Sequence, residues 1–375
     1  MVASGVNNHV VTTDDISNSL TGRPAIFFLR LDKPKADAWV LGTNYFKVEF
    51  PVITTDSSLP SGLANFTVRT NFAGAVTYLY AGDLQGQLWK LDFRTKSQGS
   101  WNLASLSPFT NVSGPIPMFI AKDGAGDRQP ITMRPTLTFG PNRGIIVSFG
   151  TGRYLSVLDN TAKFKTQSLY ALFDDNSATA DSTSSPSAVI SGRARLKEGS
   201  VTATAVSVDR FVWGRPATDT DTTSRAGWYF DFFQSGATDT ATGTGERQIS
   251  GFNVLAGRLI FGSVIPSGTS CDNGSGRLYE LDTLSGNGVA TLSSVGILGE
   301  PFLVQVGRST SQRSDSVGRR KETSRFQIIQ QGSIGLQREP QRSRQEGQDQ
   351  RILKNDRGRV AWREINNYHD VRNAP

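Results

Sequence analysis

Chemistry-bearing residues are scarce in this chain: one cysteine, Cys271, and two histidines, His9 and His369, in 375 residues. A single thiol excludes an internal disulfide framework and any metal site built from several cysteines. The histidines lie near opposite ends with no partner motif beside either, so no Ser-His-Asp constellation is legible. No run of about 18 apolar residues exists, and nothing has the length and hydropathy of a membrane-spanning helix. The opening Met1-Val-Ala-Ser-Gly-Val-Asn-Asn lacks the basic start and apolar run of a secretory signal. No long amphipathic helical periodicity stands out, which disfavours α/β folds.

An excess of one charge is also missing from most of the chain. Of the 40 Lys/Arg and 33 Asp/Glu residues, 15 and 8 fall in residues 308–375, leaving 25 of each in residues 1–307. The whole net charge of +7 therefore sits in the tail, and the body is electrically balanced. The tail's arginines, interspersed with Gln and Ser, have few aromatics among them. They read as a solvated tract rather than a nucleic-acid groove.

What is abundant is glycine, 38 residues, set among short apolar strands. The clearest stretch is Tyr80-Ala-Gly-Asp-Leu-Gln-Gly-Gln-Leu-Trp-Lys-Leu-Asp-Phe93. It predicts a strand ending on Gly82-Asp83, a tight turn at Gln85-Gly86 and a second strand over Gln87–Phe93. In that second strand Trp89, Leu91 and Phe93 alternate with Leu88, Lys90 and Asp92, giving one apolar face.

The pattern recurs in degraded form. Met1–Gly5 with Ile26–Asp32, Ile145–Gly150 with Leu169–Asp174, Phe211–Gly214 with Gly227–Asp231, and Arg258–Gly262 with Leu278–Asp282 each pair a glycine-ended strand with an aspartate-ended one. The closing aspartates stand at 32, 92, 174, 231 and 282, at the spacing of four-stranded propeller blades with insertions. Such repeats protect strand edges: stacking blades about an axis buries both faces and leaves short edges. Gly82 and its equivalents would sit where neighbouring blades crowd together. The fold class predicted is all-β, a β-propeller with quinoprotein-type blades, incomplete at the N-terminus, where Val2–Gly5 reads as the end of a strand. A β-sandwich also carries short alternating strands but rarely repeats itself.

Residues 1–307 would hold about five blades. Residues 308–357 form a basic Gln/Arg/Ser-rich low-order segment with one strand over Phe326–Gln331. Residues 358–375 contain an alternating closing strand, Gly358–Ile365, and a tail. The Ser/Thr/Asp/Ala-rich stretches Asp174–Ser187, Ala217–Ser224 and Gly236–Gly245 read as exposed insertions. Asp174-Asp175 and Asp219/Asp221 accordingly read as solvated turn carboxylates rather than a general acid/base pair. Ala121-Lys-Asp-Gly-Ala-Gly-Asp127 lacks the oxygen ligands of a cation loop and reads as a plain turn. Trp89, Trp101, Trp213, Trp228 and Trp362 read as packing between blades.

In order along the chain, these segments resemble the C-terminal β-propeller domain of PilY/PilC-type type IV pilus biogenesis factors. Tyr80–Phe93 is similar to the family pattern YAGDLxGNLWrfDL, with Gly82, Asp83, Gly86, Trp89 and Asp92 as its structural positions. Further matches follow in sequence: Ser61–Ala64, Gln129–Thr132, Phe149–Leu155, Gln167–Tyr170, Gly227–Asp231 with Gly245–Arg247, Ile265-Pro266 before Cys271, and Arg359–Glu364. The resemblance implies a non-catalytic, extracytoplasmic bacterial protein of the outer membrane or pilus tip, supporting pilus extension, surface attachment and twitching motility. It implies pilin or minor pilin subunits as partners, with a host or abiotic surface receptor as a further one, and no nucleic acid.

Two departures from the family follow. The family's calcium loop, D-x-N-x-D-G-x-x-D, falls here on Arg69, Asn71, Ala73, Gly74 and Thr77. Only Asn71 and Gly74 match, and Arg69 puts a cation where a carboxylate would sit, so loss of the calcium is expected and no cofactor is predicted. The family's long N-terminal region is also missing, so the chain reads as a fragment or truncated frame. Cys271 lacks a family-like partner and reads as a free structural thiol. The competing reading is a pyrroloquinoline-quinone oxidoreductase propeller, but such enzymes need an adjacent cysteine pair and a calcium with carboxylate ligands. A weaker alternative is a scaffold whose basic tail binds polyanions.

Overall fold

The computed structural model describes residues 1–6, 22–53, 60–160, 165–176, 190–216, 218–232, 244–267, 274–314, 320–338 and 351–357. Within them the chain is nearly all-β, and its longest α-helix, Leu103–Leu106, is a single turn. Five antiparallel units follow one another. The first consists of Val2–Ala3, Ala25–Leu29 and Tyr45–Glu49. The second runs Phe66–Thr70, Val76–Gly82, Gln87–Asp92 and Phe119–Ile120. Thr136–Phe139, Ile145–Gly150, Ser168–Asp174 and Gly227–Asp231 make the third. The fourth is Phe252–Leu255, Arg258–Gly262, Arg277–Asp282 and Gly288–Leu292. The fifth comprises Leu298–Ser314, Arg320–Gly332, Gly335–Arg338 and Arg351–Arg357. A hairpin, Lys197–Val201 with Ala205–Val208, links the third unit to the fourth, so that ten strands run as one sheet.

These units are propeller blades, and the period-2 alternation of their strands explains why. Along Val76–Gly82, Tyr78 and Tyr80 pack with Val147, Phe149 and Tyr170 of the third blade. Leu79 and Ala81, one residue out of phase, pack with Ile26, Phe28 and Val48 of the first. The third blade repeats the arrangement: Ile146, Leu169 and Phe230 face Leu259, Phe261 and Tyr279 of the fourth. Ile260 and Leu278 of the fourth meet Leu298 and Ile328 of the fifth. Each middle blade thus buries both faces, because a strand whose polar positions are few can offer apolar side chains alternately to two neighbours.

The strand-ending glycines mark the contacts between blades. A Cβ at Gly82 would collide with the Ile131 side chain, one at Gly150 with Gln248, and one at Gly262 with Gln330 and the Gly299 carbonyl. In each case the obstructing atom belongs to the segment entering the next blade or to that blade itself. Their backbone angles are ordinary, so the requirement is for space rather than for a left-handed conformation.

Several expectations need correction. Gly227–Asp231 does not close a separate repeat: it pairs with Ser168–Asp174 and is the last strand of the third blade. Phe211–Gly214 forms no strand, only an isolated bridge from Trp213 to Arg225. The second face of Gln87–Asp92 is not solvated, since Leu88 and Lys90 are buried towards the third blade. Residues 308–357, expected to hold one strand, contain Arg320–Gly332, Gly335–Arg338 and Arg351–Arg357 as well as the end of Leu298–Ser314. Gly358–Ile365 lies outside the described residues.

Candidate functional site

The Gly82–Asp92 motif builds its own turn. Asp83 is fully buried, and its Oδ1 accepts hydrogen bonds from the backbone N–H groups of Gln85 and Gln87, both at 2.9 Å. Its Oδ2 accepts from the Gln87 side-chain amide at 2.9 Å. Burial outweighs these three donors and raises the carboxyl to about 6. Gly86 closes the turn at φ +76°, with the Gln129 carbonyl 2.6 Å from where a Cβ would stand. Trp89 is fully buried against Phe50 of the first blade, ring centroids 5.4 Å apart. Asp92 accepts from the Arg94 N–H at 3.0 Å and forms an ion pair with its guanidinium at 2.7 Å. Asp83, Gly86 and Asp92 therefore act within the turn and hairpin, while Gly82 and Trp89 serve the contacts with neighbouring blades.

Three polar networks, two of them buried and the third half-buried, lie within and between the blades, where sequence periodicity gave no signal. Lys90 Nζ stands 2.6 Å from Asp174 Oδ2, with side chains 2% and 3% exposed. Tyr80 donates to the same oxygen at 2.6 Å, and the ammonium lies 4.4 Å from the Tyr78 ring centroid. Burial first, then the Asp174 charge, pushes the Tyr80 hydroxyl well above its ordinary range. Asp174 is thus an inter-blade ion-pair partner rather than the solvated turn carboxylate expected. In the fourth blade, Glu246 pairs with Arg277 and accepts from Ser263 and Tyr279, the latter at 2.8 Å; burial raises its pKa. In the third, Arg193 forks onto Asp231 at 3.0 and 2.7 Å and donates to Tyr170 at 3.0 Å. In each network the carboxylate is matched by a cation and further donors, an arrangement that holds strands together.

The hairpin at the family's calcium-loop position is a compact turn. Asn71 Oδ1 accepts from the N–H groups of Ala73 and Ala75, each at 3.0 Å, and Gly74 takes φ +78°. Thr77 Oγ1 donates to the Arg69 carbonyl at 3.0 Å. The oxygen of Asn71 that could serve a cation is thus occupied by the backbone. Arg69 points away from the turn, its guanidinium 3.4 Å from Asn176 Oδ1.

Beside that hairpin, a cleft of about 760 Å³ opens between the second and third blades. Its walls include Arg69, Phe72, Tyr78, Arg94, Phe139 and Asn176. At Ala121–Asp127, Asp123 Oδ1 accepts from the N–H groups of Ala125 and Asp127 at 3.0 and 2.8 Å, a self-capped turn. Asp219 is held by Arg195 and Ser191, and Asp221 accepts from the Thr223 N–H at 2.9 Å. Trp101 packs with Phe28 and Phe93, and Trp228 lies between the third and fourth blades. His9, His369, Cys271 and Trp362 lie outside the described residues. Among the described residues, no three His, Cys, Asp or Glu side chains converge as metal ligands, and no helix is long and apolar enough to cross a membrane.

Residues 46–204 match the family model described as the PilY1 beta-propeller domain. The chain is 33% identical over 304 residues to a type IV pilus biogenesis factor PilY1 homolog of Xylella fastidiosa, covering 78% of the chain and 18% of that protein. It is 29% identical over 253 residues to type IV pilus biogenesis factor PilY1 of Pseudomonas aeruginosa, covering 62% of the chain and 21% of that protein. The chain thus spans about a fifth of the length of these relatives. The crystal structure of the Pseudomonas aeruginosa PilY1 C-terminal domain superposes with a TM-score of 0.51 at 22% identity, covering 80% of the chain and 65% of that structure. That likeness establishes the fold.

Proposed function

The chain belongs to the PilY1-type C-terminal β-propeller domains, and from that premise we propose that it is a non-catalytic binding domain of a type IV pilus biogenesis factor. The observation that carries this reading is the 33% identity to a pilus biogenesis factor homolog across 78% of the chain, together with the family-model match over residues 46–204, which runs through the strands of the second and third blades. A role in binding is supported by the chemistry of the buried carboxylates. Asp83, Asp174 and Glu246 are each engaged by several donors inside or between blades, so they serve packing rather than acid/base work. The domain presents blade edges and inserted loops to pilin or minor pilin subunits on the cell surface, and through them supports pilus extension, attachment and twitching. An external receptor on a host or abiotic surface is a second partner class under the same reading.

No calcium is bound at the Arg69–Thr77 hairpin in this proposal. Asn71 spends its side-chain oxygen on the turn, and Arg69 contributes a positive charge where a hard cation would need a carboxylate. The test of function is direct association. The purified chain, immobilised, is titrated with the minor pilins of the same bacterium. Saturable binding is expected, whereas no binding to any pilin-like subunit would refute the proposed partner class.

A further inference from the structure

The cleft between the second and third blades has features that blade packing does not use. Its two long walls are Phe66–Thr70 and Thr136–Phe139, each the end strand of its blade. Among the described residues, no other strand pairs with the outer side of either, so each offers a free backbone edge. The walls are pinched together at one end, where Thr67 donates to the Pro135 carbonyl. At the other end, Phe72 is fully exposed and Phe139 is 89% exposed, an unusual placement for two aromatic rings at one opening. Thr138 is among the residues that line the cleft, and its hydroxyl is buried without a hydrogen-bond partner.

Charge distinguishes this cleft from a simple gap. The neighbouring carboxylates are already committed: Asp92 to Arg94, and Asp174 to Lys90 and Tyr80. Arg69 has a neutral partner, the Asn176 side-chain oxygen, at the long distance of 3.4 Å. Among the described residues, no carboxylate lies within ion-pair distance of its guanidinium. The cleft therefore carries one uncompensated fork of N–H donors, between exposed aromatic rings and beside two open strand edges.

We infer that this cleft binds an extended peptide segment of a partner protein, with an acidic side chain on Arg69 and flanking apolar side chains against Phe72 and Phe139. The inference rests on the binding role proposed above and names the surface that performs it. Free strand edges supply main-chain hydrogen bonds to an added strand, and side-chain pockets supply selectivity. A guanidinium takes a carboxylate in a paired, charge-assisted geometry that neutral groups do not reproduce. Aromatic rings at the opening provide apolar contact area on binding.

The test uses the full chain and a dye-labelled heptapeptide of alternating valine and serine with one central aspartate. Two control peptides carry asparagine or lysine at the centre. Fluorescence anisotropy is expected to show saturable binding of the aspartate peptide, at least about tenfold tighter than either control and weakened by salt. Arg69→Gln should abolish the preference for aspartate over asparagine. Phe139→Ser, at an exposed position, should weaken all three peptides together. No saturable binding of the aspartate peptide up to about 1 mM would overturn the inference, a concentration at which association is worth only about 4 kcal/mol. So would an Arg69→Gln chain, folded by its melting profile, that still prefers aspartate. Because no pilin enters this titration, its failure would remove the cleft while the pilin-binding test stands by itself.

Discussion

Replacing Lys90 by methionine tests the docking of the second blade on the third. Lys90 and Asp174 come from different blades, and their side chains are 2% and 3% exposed. Lys90→Met leaves Asp174 charged in a nearly dry site, with the Tyr80 hydroxyl and the Asn176 N–H as its remaining donors. Removing one member of a buried pair costs about 3–5 kcal/mol, because the surviving charge has lost its partner but stays desolvated. With a denaturant slope of about 2–3 kcal/mol per molar, the urea midpoint should fall by roughly 1–2 M. Removing the charge and its hydrogen-bonding partner as well, in Lys90→Met/Asp174→Leu/Tyr80→Phe, should recover most of that loss. A buried pair is often matched by apolar residues of similar volume. Equilibrium unfolding followed by tryptophan fluorescence would measure both variants. A loss under about 1 kcal/mol for Lys90→Met would place the pair in solvent and refute the face-to-face packing.

Gly86→Ala should destabilise by about 2–4 kcal/mol in the same assay, combining a left-handed backbone with a Cβ pressed against two carbonyls. The raised carboxyl of Asp83 makes stability depend on pH in an unusual direction. Its folded value, about 6, exceeds the ordinary unfolded value of about 3.9, so the folded state holds the proton more tightly. That contribution is full at low pH and is lost as pH rises through 6, making the chain about 1 kcal/mol less stable at pH 7 than at pH 5 from this group. Asp83→Asn should flatten that part of the profile in thermal melts between pH 5 and 7. About 1 mM calcium should leave Tm unchanged relative to a chelator, whereas a site of about 10 μM affinity would add about 2.7 kcal/mol.

Much of the blade plan was readable because close packing restricts residue choice locally. Gly82, Gly150 and Gly262 each end a strand where the next blade leaves no room for a Cβ, and that requirement appears as glycine at a repeated position. Trp89 and Leu91 show their burial through alternation with Leu88 and Lys90. The third blade was less legible because its last strand is distant in sequence. Gly227–Asp231 has the composition of a repeat-closing strand, and only pairing with Ser168–Asp174 shows which blade it completes. Lys90 and Asp174 likewise look like solvated charges until two blades bring them together. In residues 298–338, Gln, Ser, Thr and Arg dominate the sequence and apolar residues such as Leu303 and Ile328 are few, so the alternation is faint. The cleft at Arg69 had no sequence signal beyond the arginine itself, since its walls come from two blades.

Surface piliation tests the central claim most directly. In the source bacterium, residues 45–292, which span the described strands from the last of the first blade to the end of the fourth, are deleted in frame from the native gene. Pilin sheared from the cell surface is then compared with total cellular pilin. Surface pilin should fall severalfold with total pilin unchanged, and the intact gene should restore it. Undiminished surface pilin and twitching in the deletion strain would contradict a pilus-associated role for this domain.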